Sequence, residues 1–268
     1  MIEACISSAY EYRYHILAVP YPPLEIIEIS GRTEEGNGVS RPFLCQAAND
    51  SVYYVKLKNA GYRQLVIEWI CGRLAQEMGL PIAPFRLVGI AKQLIAGNQE
   101  LERELGHGVA FGSRKLSKFT ELRLHLIPES AKGDCERMLL FDRWILNEDR
   151  KLSAIGGNPN CLLDLEQEKV TLIDHDNAFD ETFSVRDFWS QHVFKNYTRL
   201  FSDTAREEAR QWLEDGIAKF SQIWDELPPE WLTDEQGDPR PGIDRAFFET
   251  VLGSFRDLAG ELWKVPTP

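Results

Sequence analysis

Positive charge is scarce in this sequence of 268 residues, and so are cysteine and long apolar runs. There are 30 Lys and Arg against 42 Asp and Glu, and the resulting net charge of −12 opposes attraction to phosphate backbones, so we expect no direct nucleic-acid binding. The five cysteines are widely spaced and include no C-x-x-C pair, which argues against a disulfide framework or a zinc site. No segment approaches a membrane-spanning apolar length, and the N-terminus lacks the basic start and apolar stretch of a signal peptide. We therefore expect a cytoplasmic protein with reduced thiols and no membrane association.

The remaining composition is that of a globular protein. Hydrophobic residues make up 43% of the chain, enough to build a core, and we find no internal repeat. The first part is predicted to be β-rich: residues 14–30 favour strands, and two further short strands flank a turn at residues 48–50. One long helix is predicted over residues 62–78, ending at Gly79, and residues 82–90 predict another strand.

Helical periodicity dominates after about residue 115, in residues 129–147, 202–227 and 243–263. The sequence therefore predicts an α+β fold with two lobes, a β-rich N-lobe carrying one long helix and a mainly helical C-lobe. Clefts between lobes are common ligand sites. This organisation names no reaction by itself.

Lys56 and Glu68 form the first candidate pair. Alternation along the strand YYVKLK puts Lys56 on the same face as Tyr54. Glu68 lies on a helix face whose other members are small or apolar, so burying it alone would cost several kcal/mol, on the order expected for an unpaired charge. Lys56 is the natural partner, with local pairing of Glu68 to Arg73 or Gln64 as the alternative. We expect an ordinary solvated face at Arg73, Gln76 and Glu77.

A second cluster lies between residues 144 and 179, WILNEDRKLSAIGGNPNCLLDLEQEKVTLIDHDNAF. Asp149 falls in a long polar loop, Asn160 directly precedes the predicted strand CLLDL, and Asp174 ends the predicted strand VTLID. A hairpin of these strands would bring the three polar groups to one edge. Asn158 competes with Asn160, and Asp176 competes with Asp174, since alternation places both aspartates on one face.

These residue types suit phosphoryl transfer, which needs a carboxylate to accept the hydroxyl proton, oxygen ligands for Mg²⁺ and a cation on the nucleotide phosphates. Several ordered pieces carry a family resemblance from about Gly36 to Phe179: GNGVSRPFL, YYVKLK, IEWICGRLAQEMGLPI, GVAFGSR, FDRWILNEDR, GGNPNCLLD and LIDHDNAF. Together they resemble the HipA-like kinases, distant relatives of the eukaryotic-type protein kinases.

The resemblance implies a protein-kinase-like fold with an N-lobe over residues 1–114 and a C-lobe over residues 115–268. It implies that Lys56 contacts the ATP phosphates and is oriented by Glu68, that Asp149 is the catalytic base, and that Asn160 and Asp174 hold Mg²⁺. It also implies a phosphate-covering loop that includes Gly36, Asn37, Gly38 and Ser40.

The spacing departs from eukaryotic-type kinases, because ten residues rather than four lie between Asp149 and Asn160. The resemblance implies an ATP- and Mg²⁺-dependent Ser/Thr protein kinase with a protein substrate of unknown identity. The alternatives are a nucleotide-binding, pseudokinase-like interaction module of a toxin–antitoxin or phage system, and a small-molecule kinase. Members of the wider family pair with a DNA-binding antitoxin, and no residues here support such a partner.

Overall fold

The computed structural model describes residues 22–33, 41–123, 126–153, 156–197, 202–257 and 260–264. The four residues expected in the phosphate-covering loop, Gly36, Asn37, Gly38 and Ser40, lie outside these ranges. The strand before them ends at Arg32, the strand after them begins at Phe43, and the two strands pair antiparallel. The phosphate-covering role of these four residues stays a prediction.

Strands dominate the first part of the described chain. They are β1 (Leu24–Arg32), β2 (Phe43–Ala47), β3 (Val52–Lys56), β4 (Phe85–Ile90) and β5 (Gly108–Arg114). They close into a barrel in the order β1-β2-β3-β5-β4, in which only the β1–β4 pair is parallel. The turn between β2 and β3 is the expected one, and Asp50 takes a positive φ of 61° there, a conformation that Asp tolerates. Two short helices, α2 (Lys92–Ile95) and α3 (Gln99–Glu104), connect β4 to β5.

Helix α1 (Tyr62–Glu77) packs against the barrel, and Gly79 just after it has a φ of 72°. The helix approaches β4 at Gly72, where a Cβ would lie 2.6 Å from the ring of Phe85. Glycine is needed at this position because any side chain would push the helix away. The Phe85 ring is held from the side by an edge contact with Trp69 at 5.6 Å between ring centroids.

The later part of the described chain is mainly helical with short strands. Its elements are β6 (Phe119–Glu121), α4 (Lys132–Trp144), β7 (Lys151–Ser153), β8 (Gly156–Asn158), β9 (Cys161–Asp164), β10 (Lys169–Leu172), α5 (Val185–Gln191), α6 (Asp203–Ile217), α7 (Phe220–Asp225), α8 (Pro229–Leu232) and α9 (Arg245–Gly253). Strands β10, β9 and β6 form one sheet and β7 pairs with β8. Short 3-10 turns cover residues 129–131, 195–197, 254–256 and 261–263.

The segment after α1 is joined to β10 by backbone hydrogen bonds. The amide of Ala83 donates to the carbonyl of Leu172 at 3.0 Å, and the amide of Leu172 donates to the carbonyl of Pro81 at 2.8 Å. Because α1 and β10 are fixed to each other in this way, residues that follow β10 come to lie beside the middle of α1.

The predicted α+β composition, strand-rich first and helical later, is confirmed. One local expectation was wrong: the predicted polar loop after α4 contains a small hairpin, β7 and β8, in which Lys151 pairs with Asn158. The helical periodicity over residues 202–227 is confirmed, as two helices, α6 and α7, with a break at Ala218 and Lys219.

The described cysteines, Cys45, Cys71, Cys135 and Cys161, are all buried and free. None of the described helices combines the length and the apolar character that crossing a membrane requires.

Candidate active site

The ammonium group of Lys56 lies among three carboxylates. Its Nζ atom is 2.7 Å from Glu68 Oε1, 2.8 Å from Asp174 Oδ1 and 2.9 Å from Asp176 Oδ2. Lys56 ends β3, Glu68 lies in the middle of α1, and the two aspartates follow β10. The structure therefore brings together residues separated by up to 120 positions in the sequence.

Burial and charge act against each other in this cluster. Burial opposes the Lys56 charge, but Asp174, Glu68 and Asp176 outweigh it and hold the pKa of Lys56 well above its usual value. Burial raises the pKa of Glu68 to about 7, although Lys56 opposes the shift. For Asp174 burial acts upward, and attraction to Lys56 overcomes it, lowering the pKa to about 2. Of the three carboxylates around Lys56, Asp174 is thus the one that stays ionised to the lowest pH.

The partner of Glu68 is Lys56, as the apolar surroundings of Glu68 indicated. Its second carboxylate oxygen, Oε2, accepts a hydrogen bond from the backbone amide of His175 at 3.0 Å, which ties α1 to the aspartate segment. The alternative partner, Arg73, instead pairs with Glu226 at 2.8 Å and with Glu77 at 3.2 Å. The expectation of an ordinary solvated face was therefore wrong for Arg73, because a residue from the distant C-terminal part covers it.

Asp149 is held by two amide side chains. Its Oδ2 atom accepts hydrogen bonds from Asn160 Nδ2 at 2.9 Å and from Asn177 Nδ2 at 3.2 Å. Burial raises the pKa of Asp149, these hydrogen bonds oppose the rise, and the charge of Asp174 also raises it. The amide of Ile173, the residue before Asp174, donates to the carbonyl of Asn160 at 3.0 Å, so Asp149 and Asn160 lie next to the Lys56 cluster. Asn177 had not been singled out from the sequence. Its position three residues after Asp174 was the available signal.

The geometry distinguishes Asn160 from its competitor. Asn160 is buried and turns its amide nitrogen to Asp149, and within the described residues no hydrogen bond occupies its Oδ1 atom. Asn158 lies exposed on β8. Asn160 and Asp174 also share a left-handed backbone, with φ of 43° and 55°. Asn and Asp tolerate this conformation better than other residues with a side chain, and it is common at functional sites.

The acidic cluster has a donor set suited to a hard cation. Glu68, Asp174 and Asp176 each place one oxygen within 4.8 Å of the others. Carboxylate and amide oxygens are the ligands that Mg²⁺ takes in proteins. Both Asp174 and Asp176 contact Lys56, but 26% of the Asp174 side chain is exposed against 9% for Asp176. Asp174 is the more accessible of the two, and contact with Lys56 alone does not separate them.

Arg150, next to Asp149, is fully buried and connects the loop to the hairpin behind it. Its guanidinium donates to both oxygens of Asp142, at 2.6 Å and 3.3 Å. It also donates to the backbone carbonyls of Asn160 and, at 3.3 Å, of Ile173. Arg150 therefore fixes the backbone next to each of Asp149, Asn160 and Asp174.

Two further groups complete this buried network. Asn147 donates to Asp142 Oδ1 at 2.8 Å and accepts from the Asp149 amide at 3.2 Å, so Asp142 and Asn147 brace the loop. His192 Nε2 lies 2.9 Å from Asp142 Oδ2. Burial acts to raise the pKa of Asp142, but Arg150 and His192 hold it well below its usual range.

Comparison with known proteins identifies a family and a similar fold. The sequence model described as HipA-like kinase matches residues 26–264. Among solved structures, the fold is similar to a Helicobacter pylori proinflammatory kinase, CtkA, with a TM-score of 0.51, 12% sequence identity, and coverage of 88% of this chain and 95% of that chain. At this identity the likeness shows the fold alone. No curated protein matches the sequence.

Proposed function

The chain belongs to the HipA-like kinase family, and from that membership we propose that it is an ATP- and Mg²⁺-dependent kinase that phosphorylates Ser or Thr of a protein. The single observation that best supports the proposal is the contact of Lys56 with Glu68 and Asp174 beside the hydrogen-bonded pair Asp149 and Asn160. Residues 1–114 and 115–268 are proposed to form the two lobes of one kinase-like unit.

Lys56 is proposed to bind the nucleotide phosphates. Its ammonium contacts more carboxylates than its single charge can neutralise, and phosphate oxygens would compete with Asp174 and Asp176 for hydrogen bonds from this ammonium. Glu68 is then the residue that keeps Lys56 in place, because its other oxygen is already fixed by the His175 amide. A bound Mg²⁺ supplies positive charge that offsets the charge developing on the transferred phosphoryl group.

Asn160 and Asp174 are the proposed Mg²⁺ ligands. The Asn160 amide donates to Asp149 through its nitrogen, which leaves the oxygen for a cation, and the low pKa of Asp174 keeps that carboxylate ionised. Asp176 is the second candidate, since it lies in the same acidic cluster.

Asp149 is the proposed base for the substrate hydroxyl. The hydrogen bonds from Asn160 and Asn177 both go to Oδ2, and within the described residues no hydrogen bond occupies Oδ1, which can accept a proton. Both amides fix the orientation of the carboxylate. A positioned general base contributes roughly 10²- to 10⁴-fold in rate.

The test is transfer of labelled phosphate from ATP, with and without Mg²⁺, to the protein itself and to proteins of a cell lysate. Asp149→Asn should lose labelling by at least about 100-fold while keeping ATP affinity, which a thermal shift with ATP and Mg²⁺ measures. Asp187→Asn, a change of an exposed aspartate on α5, is the matched control.

Phosphopeptide mass spectrometry of cells expressing the wild type or Asp149→Asn would identify the substrate and the phosphorylated residue type. ATP binding without any phosphate transfer would reject the proposed kinase activity and favour the nucleotide-binding, pseudokinase-like module instead. Transfer that persists in Asp149→Asn would reject the role of Asp149.

A further inference from the structure

A cavity of about 410 Å³ has none of the proposed active-site residues in its lining. It surrounds the start of β4 and is bounded by the C-terminal half of α1, the turn between β2 and β3, the end of β5 and Glu226. Pockets for small ligands typically range from about 300 to 1,000 Å³. The cavity is therefore large enough for a small organic molecule.

One wall of the cavity is aromatic. Phe85 lines it, with Trp69 edge-on at 5.6 Å and Phe111 stacked behind at 5.5 Å between ring centroids. Leu87 lines the same wall and is 3% exposed. Such a wall accepts the flat apolar body of a ligand.

Positive charge lines the other side. Arg86 and Arg114 make no hydrogen bond or ion pair through their side chains within the described residues, and the Nε atom of Arg86 is buried without a partner. The indole N–H of Trp69, a residue 6% exposed, likewise has no acceptor among them. The third lining arginine, Arg73, is already paired with Glu226.

The strand register places the two arginines together. Arg86 pairs with Gly112 across β4 and β5, and Arg114 lies two residues further along β5, so both side chains leave the same face of the sheet. Two guanidinium groups on the same face of neighbouring strands, neither with a side-chain partner among the described residues, repel each other, and an anion between them relieves the repulsion. In a chain with a net charge of −12, such a site is not a consequence of general composition.

This face is not the one that carries Lys56. Gly112 pairs with Val55 of β3, so Arg86 shares a face with Val55, whereas Lys56 points to the opposite face. Phe85 and Leu87 alternate with Arg86 and lie on the Lys56 face, so the cavity reaches both faces of the sheet at the start of β4. Its lining includes none of Lys56, Glu68, Asp149, Asn160 and Asp174, and a ligand held there is therefore separate from one held by Lys56.

We propose that this cavity binds a small aromatic anion. Its carboxylate or phosphate group is held by Arg86 and Arg114, and its ring lies against Trp69 and Phe85. The proposal is independent of the proposed kinase activity, because it concerns different residues and is tested by binding alone.

The test is isothermal titration of the full-length protein with three probes that share one ring system: 2-naphthoate, 2-naphthyl phosphate and the neutral 2-naphthamide. At least one anion should bind more tightly than the amide, and the tighter of the two identifies the preferred head group. Arg86→Gln should weaken that binding by about tenfold or more, as expected for loss of a charge-assisted contact. Arg123→Gln should leave it unchanged, since Arg123 is exposed, outside the cavity and also unpaired among the described residues.

Arg114→Gln gives an independent check if Arg86→Gln does not fold, because Arg114 is exposed at the end of β5. Three results would overturn the proposal: no binding of either anion up to its solubility limit, equal binding of the amide and the anions, or anion binding that survives loss of the cavity arginines. If the cavity instead binds a side chain of another protein, neither small anion should bind.

Discussion

Arg150→Met tests whether the buried arginine holds the proposed catalytic loop together. Arg150 and Asp142 are both fully buried, and their closest contact is 2.6 Å. Removing the arginine leaves the Asp142 carboxylate without its main counter-charge, and it also removes the donor that links the carbonyls of Asn160 and Ile173.

The expected loss of unfolding free energy is about 3–5 kcal/mol, the range for breaking a buried ion pair on one side. The carbonyl of Asn160 keeps a second donor, the Ile173 amide at 3.0 Å, so losing the Arg150 hydrogen bond to this carbonyl does not add to the expected loss of unfolding free energy. Single domains are stable by roughly 5–15 kcal/mol, so the variant should fold but with much of its stability removed.

Urea unfolding at neutral pH measures this loss as a lower midpoint. Arg210→Met is the matched control: Arg210 pairs with Glu207 on the exposed face of α6, and its removal should leave the midpoint unchanged. Adding Asp142→Asn to Arg150→Met removes the isolated charge, so the double variant should lose less stability than the two single variants predict together.

A midpoint for Arg150→Met within error of the Arg210→Met value would refute this account of the loop. So would strict additivity in the double variant, because it would mean that Arg150 and Asp142 do not depend on each other. If Arg150→Met proves too unstable to measure, Arg150→Lys, which keeps the charge but not the forked geometry, should show the same loss in smaller measure.

Three other predictions concern packing, pH and metal. Gly72→Ala should lower the unfolding free energy by about 1–3 kcal/mol, because a phenylalanine ring lies 2.6 Å from the added Cβ. Gly133→Ala, whose added Cβ has no atom within 4 Å, should raise the unfolding free energy by up to about 1 kcal/mol. A urea midpoint that rises in both variants would contradict the packing at Gly72. Burial and nearby positive charge lower the pKa of His175 from 6.5 to about 3. Between these pH values the unfolded chain binds a proton that the folded chain does not, so the unfolding free energy should fall as pH drops from 6.5 towards 3. His175→Gln should make the unfolding free energy less dependent on pH in that window, and an unchanged slope would refute the assignment. Asn160→Ala should raise the Mg²⁺ concentration needed for half-maximal phosphate transfer by at least about tenfold, and Asn158→Ala should not; the reverse result would exchange their roles.

Sequence patterns were sufficient for the pairing of Lys56 with Glu68. A carboxylate on a small, apolar helix face needs a buried cation, and a lysine on a nearby strand can reach it. The hairpin that brings Asn160 and Asp174 to one edge was also predictable, because two short apolar runs separated by a turn favour antiparallel pairing. These inferences depend on local periodicity and on the cost of burying charge.

The partners of Arg73 and Asp149 were not predictable in the same way. Arg73 looks solvated on a helical projection, and only the folded chain brings Glu226, 153 residues later, against it. Asn177 reaches Asp149 because the chain turns after β10, and no local pattern specifies the direction of that turn.

The sequence by itself therefore determined the α+β class, the residue types of the proposed active site and the family resemblance, since each follows from short-range spacing and order. Only the tertiary structure decided which groups meet: three carboxylates contact one lysine, a buried arginine holds the loop, and two arginines with no side-chain partner in the described part of the chain line a cavity with an aromatic wall. The physical reason is that such contacts depend on how distant elements pack, and packing is a property of the whole chain rather than of any segment.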